Sequence, residues 1–272
     1  MVKLIAIDLD GTLFDDKKNI SELNKKAIKE AREKGIKIVI ASGRPFNGVK
    51  PVLEELNLLD GNEEYALCYN GAKIINLKTN EVIFEKLINY DVVNDLYNYS
   101  KEINVDIHAF KENEDLITPK NNPYTEVEST INKIETHVID FNCLTKNDKF
   151  IKAMLVGEND KLNFIENNIP RHFYEENSMV RSSKIFLEFL NKETDKGLAL
   201  TELCKVLNID LSEVLALGDA GNDLNMLLKA GYGVAMGNSF PHIKKACKYV
   251  TDDNLNDGVA KAIYKYALNK EL

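Results

Sequence analysis

The segment LIAIDLDGTLFDD, residues 4–16, sets the expectation for the whole chain. It begins as a nearly continuous apolar run, which is typical of a parallel strand that is buried on both faces. The run ends in Asp8 and Asp10, and side chains two residues apart in a strand point to the same face. Like charges placed side by side repel each other unless a cation lies among them. The pattern therefore predicts a buried strand whose end binds a cation.

The composition is that of a soluble globular protein, and the length allows one large domain or two of ordinary size. The chain has 272 residues, of which 44% are apolar and 29% charged. A net charge of −8 argues against broad binding to nucleic acids or anionic membranes, and no apolar run is long enough to span a bilayer. The cysteines are far apart and form no CxxC pair, and the first residues do not have the pattern of a signal peptide. We therefore expect reduced thiols in a cytoplasmic protein.

The order of predicted elements indicates a core that is interrupted by an insertion. Strands and helices alternate at the start, with a helix at 22–34 after the N-cap Ser21 and a strand ending at Ala41, and the alternation returns with a helix at 196–207. Between these parts we predict helices at 91–103, 124–134 and 160–168, and strands at 105–118, at 149–157 and onward to about 190. The expected fold class is α/β, with a doubly wound, Rossmann-like parallel sheet core and an inserted α+β cap domain. The predicted domains are residues 1–83 with 187–272 as the core and 84–186 as the cap.

Four short motifs lie where such a sheet places its ligands, at the carboxyl ends of strands or at the start of a helix. They are DLDGT (8–12), ASGR (41–44), DKG (195–197) and GDAGND (218–223). Brought together, they supply carboxylates, one hydroxyl, one lysine and several backbone amides beside glycines. The side chains concerned are Asp8, Asp10, Ser42, Lys196, Asp219 and Asp223.

This inventory fits a magnesium site that handles phosphate. Mg²⁺ prefers hard oxygen ligands, usually one or two carboxylates with water and substrate phosphate, and Asp219 would be a third ligand beside Asp8 and Asp10. Phosphate oxygens need donors, which Lys196, Ser42 and the loop amides can supply. An aspartate that faces phosphorus in line is a competent nucleophile. We therefore expect Mg²⁺ as cofactor and phosphoryl transfer as the chemistry.

The four motifs resemble those of the haloacid dehalogenase-like (HAD) phosphatases. SGRP, YNGA, the KG and AL of KGLAL, GDAGNDLNML and GVAMGNS are similar to the motifs of the Cof-type hydrolases within that superfamily. The resemblance covers the whole chain. Only 31 residues separate Asp10 from Ser42, whereas 153 separate Ser42 from Lys196. The insertion is therefore identified as the family's large cap between the second and third motifs, not the helical cap that follows the first motif in dehalogenases and β-phosphoglucomutases.

The resemblance implies a role for each motif residue. Asp8 would be the nucleophile, and Asp10 the general acid and then the general base. The phosphate would be bound by Ser42, Lys196 and Asn222 and by the amides around Leu9 and Gly43. Mg²⁺ would be held by Asp8, the backbone carbonyl of Asp10 and Asp219, with Asp223 behind them. Ala220 and Ser42 differ from the residues that are common in relatives, but neither change removes a required oxygen or amide.

The expected function is a magnesium-dependent phosphatase that hydrolyses small phosphorylated metabolites, with sugar phosphates first among them. Its expected partner is a small-molecule phosphate monoester, with no nucleic acid and no membrane, and the sequence leaves the oligomeric state open. Alternatives are a sugar phosphomutase, a phosphoaspartate signalling module and an idle binding protein. A signalling module must keep its acyl phosphate, whereas Asp10 is placed to hydrolyse it.

Several other polar residues are interpreted as ordinary structure. Asn70-Gly71 is expected to be a hairpin turn, Gly237-Asn238 a loop, and the four histidines unremarkable side chains. Within the cap, the cations to test first for contact with a second anionic group of the substrate are Arg171, His172 and Arg181.

Overall fold

The computed structural model describes residues 1–271 as two compact units. One unit joins residues 1–85 to the described residues from 195 onward, and the other is Lys86–Thr194. The second unit thus begins two residues later than predicted and ends eight residues later. Residues 187–194 belong to it, and not to the core as expected, because the strand Phe186–Asn191 pairs with the strand Lys149–Val156.

The first unit is built on an eight-stranded sheet that is parallel except at one edge. The strand Leu4–Ile7 lies at its centre, where Ala6 is in register with Val39 on one side and Ala216 on the other. All four residues of this strand are buried, as its apolar run predicted. The strands in spatial order are Tyr249–Val250, Tyr232–Ala235, Val214–Gly218, Leu4–Ile7, Lys37–Ala41, Tyr65–Cys68, Lys73–Asn76 and Val82–Glu85.

The first helix of this unit begins and ends beside the residues that predicted its boundaries. The side chain of Ser21 accepts a hydrogen bond from the Asn24 amide at 3.1 Å and so caps the first helix, which ends before Gly35 at a φ of +78°. The helix at 196–207 lies where the sequence placed it. The helices are Glu22–Glu33, Phe46–Glu55, Lys196–Leu207, Leu224–Lys229, Pro241–Ala246 and Gly258–Ala262.

The second unit is an α+β layer with a mainly antiparallel sheet. Its strands in spatial order are Asn177–Ser183, Phe186–Asn191, Lys149–Val156, Asp106–Lys111, Leu116–Thr118 and Thr136–Val138, with Ile88–Asn89 also pairing with Lys149–Val156. Its helices are Tyr90–Glu102, Pro123–Asn132, Asn159–Asn168 and Arg171–Glu176. The last helix falls where strands were predicted; it starts after Pro170 and buries Phe173. No helix within residues 1–271 is long and apolar enough to cross a membrane.

One face of this second sheet carries a buried polar layer. His108 is opposite Met154, and Met154 is opposite Glu188, so the three side chains share a face. His108 is fully buried and hydrogen-bonds to the Thr125 hydroxyl at 3.0 Å and the Met154 sulfur at 3.1 Å. Lys152, only 1% exposed, donates to Glu188 at 3.1 Å.

The buried imidazole of His108 should make this protein sensitive to acid. Burial and the charge of Lys152 lower the pKa of His108 from 6.5 to about 3. Between these two pH values the unfolded chain binds a proton that the folded chain excludes. The free energy of unfolding is therefore highest above pH 6.5, as far as His108 determines it, and it decreases as the pH falls towards 3. We expect His108→Gln to lower the difference in unfolding free energy between about pH 7.5 and pH 4.5 by roughly 2 kcal/mol, as measured by urea denaturation. The exposed His137 provides a matched control, and an equal effect of His137→Gln would contradict this origin of the acid sensitivity.

The cap cations singled out in the sequence already have local partners. Arg171 forms a surface ion pair with Glu175 at 2.7 Å. Arg181 donates to the Lys184 carbonyl oxygen at 2.7 Å, and the ring of His172 lies 4.1 Å from that of Phe173. Contact of these residues with an anionic group of the substrate stays a prediction.

Candidate active site

The site is built at the point where the central strand gives way to a tight turn. The strand ends at Ile7, and the Asp8 amide still donates to the Leu217 carbonyl of the neighbouring strand at 3.0 Å. The turn Leu9–Leu13 follows, with Gly11 at a φ of +86°. A Cβ atom on Gly11 would lie 2.5 Å from Oδ2 of Asp219. Glycine is therefore required here both for its backbone conformation and for the space beside the acid.

Three carboxylates meet at this edge of the sheet. One oxygen each from Asp8, Asp219 and Asp223 can be chosen so that all three lie within 4.8 Å of one another. Asp219 follows the strand that pairs with the central strand, so the carboxyl ends of the two strands bring it next to Asp8. The Thr12 hydroxyl donates to Oδ1 of Asp219 at 3.0 Å. Oδ2 of Asp223 accepts from the amides of Asp219 and Ala220, each at 3.0 Å.

Lys196 lies among these acids and is fully buried. Its Nζ donates to Oδ1 of Asp8 at 2.6 Å and to Oδ1 of Asp223 at 2.7 Å. Burial alone would lower the pKa of Lys196, but the charges of Asp223 and Asp8 outweigh it and raise that pKa. The lysine therefore stays charged and holds the nucleophile candidate in place.

The cluster carries more negative charge than Lys196 balances. Burial and the charge of Asp223 raise the pKa of Asp8 to about 8, although Lys196 opposes this shift. Burial and Asp223 likewise raise the pKa of Asp219 to about 6. A divalent cation would reverse both shifts, and carboxylate oxygens are the ligands that Mg²⁺ prefers. Asp8 and Asp219 each commit one oxygen to the hydrogen bonds given above, whereas Asp223 commits both.

Asp10 lies outside this cluster of acids. Arg44 donates to both of its oxygens, from Nε at 2.9 Å and from Nη2 at 2.7 Å, and Lys18 forms a further short ion pair with it. The sequence predicted that Asp8 and Asp10 would crowd each other on one strand face. Instead the strand ends before Asp8, and the turn directs the Asp10 carboxylate to Arg44. Burial would raise the pKa of Asp10, but Arg44 and Lys18 outweigh it and lower that pKa, so Asp10 is ionised.

The loops that carry the predicted phosphate-binding residues are joined by hydrogen bonds and close packing. Ser42 is buried, and its Oγ accepts from the Arg44 amide at 3.2 Å. Asn222 donates through its side chain to Oδ1 of Asn70 at 3.0 Å, and a Cβ atom on Gly43 would lie 3.0 Å from the same oxygen. Asn70 therefore joins the loop after the second strand to the GDAGND loop. Leu9 is buried at the start of the turn that carries Asp10.

Three residues of this site were not predicted as site residues from the sequence, namely Thr12, Arg44 and Asn70. Thr12 and Arg44 lie within the motifs DLDGT and SGR. The motifs therefore included both residues, but no role was predicted for either side chain. Asn70 was interpreted as a hairpin turn, and the strands around it do form a hairpin. Its side chain is nevertheless buried, and its φ of +57° suits asparagine.

Comparison with known proteins identifies close sequence relatives. A family profile described as haloacid dehalogenase-like hydrolase matches residues 5–263. The phosphatase candidate YxeH of Bacillus subtilis (strain 168) is 38% identical over 272 residues, covering 99% of this chain and 100% of that protein. The 5-amino-6-(5-phospho-D-ribitylamino)uracil phosphatase YcsE of the same organism is 30% identical, covering 98% of this chain and 96% of that protein.

Solved structures agree with these sequence relatives. A haloacid dehalogenase-like hydrolase from Bacteroides thetaiotaomicron has a TM-score of 0.87 at 35% identity, covering 97% of this chain and 99% of that chain. A sugar phosphatase of HAD subclass IIB has a TM-score of 0.80 at 25% identity, covering 98% of this chain and 100% of that chain. The predicted fold class and the predicted phosphatase class of enzyme are confirmed. The chain belongs to the haloacid dehalogenase-like hydrolase family.

Proposed function

We propose that this protein is a magnesium-dependent phosphatase of small phosphorylated metabolites that acts through an aspartyl-phosphate on Asp8. The observation that carries the proposal is the cluster of Asp8, Asp219 and Asp223 around the buried ammonium of Lys196. Such a cluster has the oxygen ligands for a divalent cation and an excess of negative charge for the cation to neutralise.

The residues fit Mg²⁺ in the arrangement that the family resemblance implies. Asp8 and Asp219 would hold it together with the backbone carbonyl of Asp10. Asp223 would stand behind them, since both of its oxygens already accept hydrogen bonds from Lys196 and from two amides. When bound, the ion would neutralise the crowded carboxylates and polarise the phosphate of the substrate.

The side chains divide the chemistry into two transfers. In the first, an oxygen of Asp8 attacks phosphorus in line, the bond from phosphorus to the ester oxygen breaks, and Asp10 gives its proton to that oxygen, which leaves as the alcohol. In the second, Asp10 removes a proton from water as the water attacks phosphorus, and Asp8 leaves as a carboxylate. Ser42, Lys196 and Asn222 would bind the phosphate oxygens during both steps.

Asp10 as observed suits the second transfer. Its carboxylate is ionised between Arg44 and Lys18, which is the form that accepts a proton from water. To act first as the acid, it must take up a proton and give up part of this pairing. Arg44 would therefore orient Asp10 and also set the protonation state between the two steps.

Removal of Arg44 should impair catalysis more than substrate binding. We expect Arg44→Met to lower kcat by about 100-fold, with little change in KM, because positioned acid–base catalysis contributes about that much or more. Arg44→Lys should recover only part of the loss, since an ammonium cannot hold both oxygens as the guanidinium does. Steady-state kinetics on the best substrate would measure this effect. A wild-type kcat for Arg44→Met would show that Asp10 does not depend on this pairing.

The preferred substrate class is a phosphate ester on a polyhydroxylated carbon chain. One structural neighbour is a sugar phosphatase, and the relative YcsE is named for a phosphoribityl compound. Both names describe a phosphate on a chain of hydroxylated carbons. We propose the same class for this protein, with sugar phosphates as the first candidates.

Phosphate release from a panel of metabolites tests the proposal directly. The panel would contain sugar phosphates, polyol phosphates, nucleotides, pyridoxal phosphate and flavin mononucleotide. We expect the sugar or polyol phosphates to be hydrolysed best, and EDTA to lower the rate by at least about 100-fold, since the metal would supply several kcal/mol of charge stabilisation. Added Mg²⁺ should restore it. Full activity in EDTA would refute the metal dependence, and bisphosphate-dependent isomerisation with little free phosphate would favour a phosphomutase.

A further inference from the structure

Two asparagines from the C-terminal part of the first unit donate hydrogen bonds to the backbone of the turn that follows Asp8. Nδ2 of Asn238 donates to the Gly11 carbonyl oxygen at 2.8 Å, and Nδ2 of Asn254 donates to the Phe14 carbonyl oxygen at 2.9 Å. The two asparagines are also joined, because the Asn254 amide donates to Oδ1 of Asn238 at 3.3 Å. We call this pair of side chains the carboxamide clamp.

This turn has little regular secondary structure that would stabilise its conformation. Asp10 and Gly11 have backbone angles outside the helical region, at φ −80° and ψ 109° and at φ +86° and ψ 0°. Within the turn, the amides of Leu13 and Phe14 donate back to the carbonyls of Asp8 and Leu9. The clamp adds partners for carbonyls farther along the turn. Asn238 fixes the peptide group that joins Gly11 to Thr12, and Thr12 in turn binds Asp219.

The clamp is itself attached to the strand that precedes Asp219. The Met236 amide, two residues before Asn238, donates to the Gly218 carbonyl at 3.0 Å, directly before Asp219. The Gly237 amide donates to the Asp252 carbonyl at 3.1 Å, which joins the loop of Asn238 to that of Asn254. The two loops are tightly packed, since a Cβ atom on Gly237 would lie 2.7 Å from the Asp253 amide nitrogen.

We propose that Asn238 and Asn254 are positioning residues for catalysis, which hold the turn so that Asp10 keeps its place relative to Asp8 and Asp219. The inference rests on the proposed function, because it assigns the turn a catalytic role. Asn238 then has a role beyond that of a loop residue, which was the prediction from the sequence. Both asparagines act through the backbone that carries Asp10, and not through contact with the substrate.

Because Asn238 is exposed, an effect of its substitution on catalysis can be distinguished from an effect on global stability. Its hydrogen bond to Gly11 is exposed to solvent, so its loss leaves no buried group without a partner and should cost little global stability. A small displacement of a catalytic group, in contrast, can lower the rate by about 100-fold. A change in kcat without a change in unfolding temperature is therefore the signature of positioning.

The test compares Asn238→Ala, Asn238→Asp, Asn254→Ala and the double alanine variant in the full chain. Asn238→Asp keeps the shape but removes the donor, so it should behave like Asn238→Ala. We expect each single alanine variant to lower kcat by about 5- to 10-fold and the double variant by about 30-fold, with KM changed less than about threefold. Asn256→Ala is the matched control, because Asn256 lies in the loop of Asn254 and its side chain donates to nearby Asp253, three residues away, and not to the turn.

Hydrogen exchange of the backbone gives a readout that does not need activity. The segment 9–16 should exchange faster in the clamp variants than in wild type, while the exchange of the strand Val214–Gly218 stays unchanged. In the Asn238 single variants, whose lost hydrogen bond is exposed, the unfolding temperature should also stay within about 2 °C of wild type. Unchanged exchange in this segment, or unchanged kcat, would overturn the proposal, as would an equal effect of Asn256→Ala. If wild type hydrolyses no phosphate ester at all, the proposed function fails, and the exchange measurement still decides whether the clamp holds the turn.

Discussion

Asp8→Asn should abolish phosphate release, lowering kcat by about ten-thousand-fold or more, the scale on which enzymes respond to loss of their nucleophile. The amide can still accept the hydrogen bond that Lys196 gives to Oδ1 of Asp8, so the packing of the buried site is preserved. It cannot form an acyl phosphate as a carboxylate does. The substitution also removes one of three crowded acids, and we expect no loss of folding stability. Phosphate release and thermal unfolding of both proteins would measure the two effects.

The control for this experiment is Asp16→Asn, an exposed acid that follows the same turn. It should keep wild-type activity. A rapid acid quench of wild type during turnover should trap the phosphoryl group on the peptide that contains Asp8, and the Asn variant should trap none. Retention of more than about one hundredth of the activity in Asp8→Asn would show that another group attacks phosphorus.

The predictable part of this molecule is local. The apolar run 4–7, the N-cap Ser21 and the helix beginning at Lys196 follow from patterns within a few neighbouring residues, and the structure has each of them. Parallel strands then bring the motifs after them to one edge of the sheet, so the meeting of Asp8 with Asp219 could also be expected. Pattern and topology together were sufficient for the fold class and for most of the candidate site.

What could not be predicted depends on the path of the backbone between the motifs. The alternation of a strand assigned Asp10 to the face of Asp8, but the strand stops at Ile7 and the turn directs Asp10 to Arg44 instead. No periodic pattern marks a contact between a turn and an arginine 34 residues away. Asn238, 227 residues from Gly11, is a stronger case, because no pattern in its loop marks a partner so distant in the sequence.

The second large effect is expected from Lys196→Met, which removes the buried cation of the site. Asp8 and Asp223 are 6% and 1% exposed, and each would lose a close ionic partner. Removing one partner of a buried ion pair typically costs about 3–5 kcal/mol of unfolding free energy, because the remaining charge is left unbalanced in a poor solvent. We expect a loss of this size in metal-free buffer, together with loss of phosphatase activity. Urea denaturation in EDTA would measure the change in stability.

Mg²⁺ should restore part of that stability, and the size of the restoration tests the architecture of the site. An ion that binds only the folded state stabilises it by mass action, and the variant offers it a more negative site than wild type does. The rise in unfolding temperature on adding Mg²⁺ should therefore be larger for Lys196→Met than for wild type. Lys205→Met is the matched control on the same helix, since Lys205 is 65% exposed and its pair with Glu202 should contribute less than about 1 kcal/mol. If Mg²⁺ stabilises wild type and Lys196→Met equally, the ion does not share its site with the carboxylates that Lys196 holds.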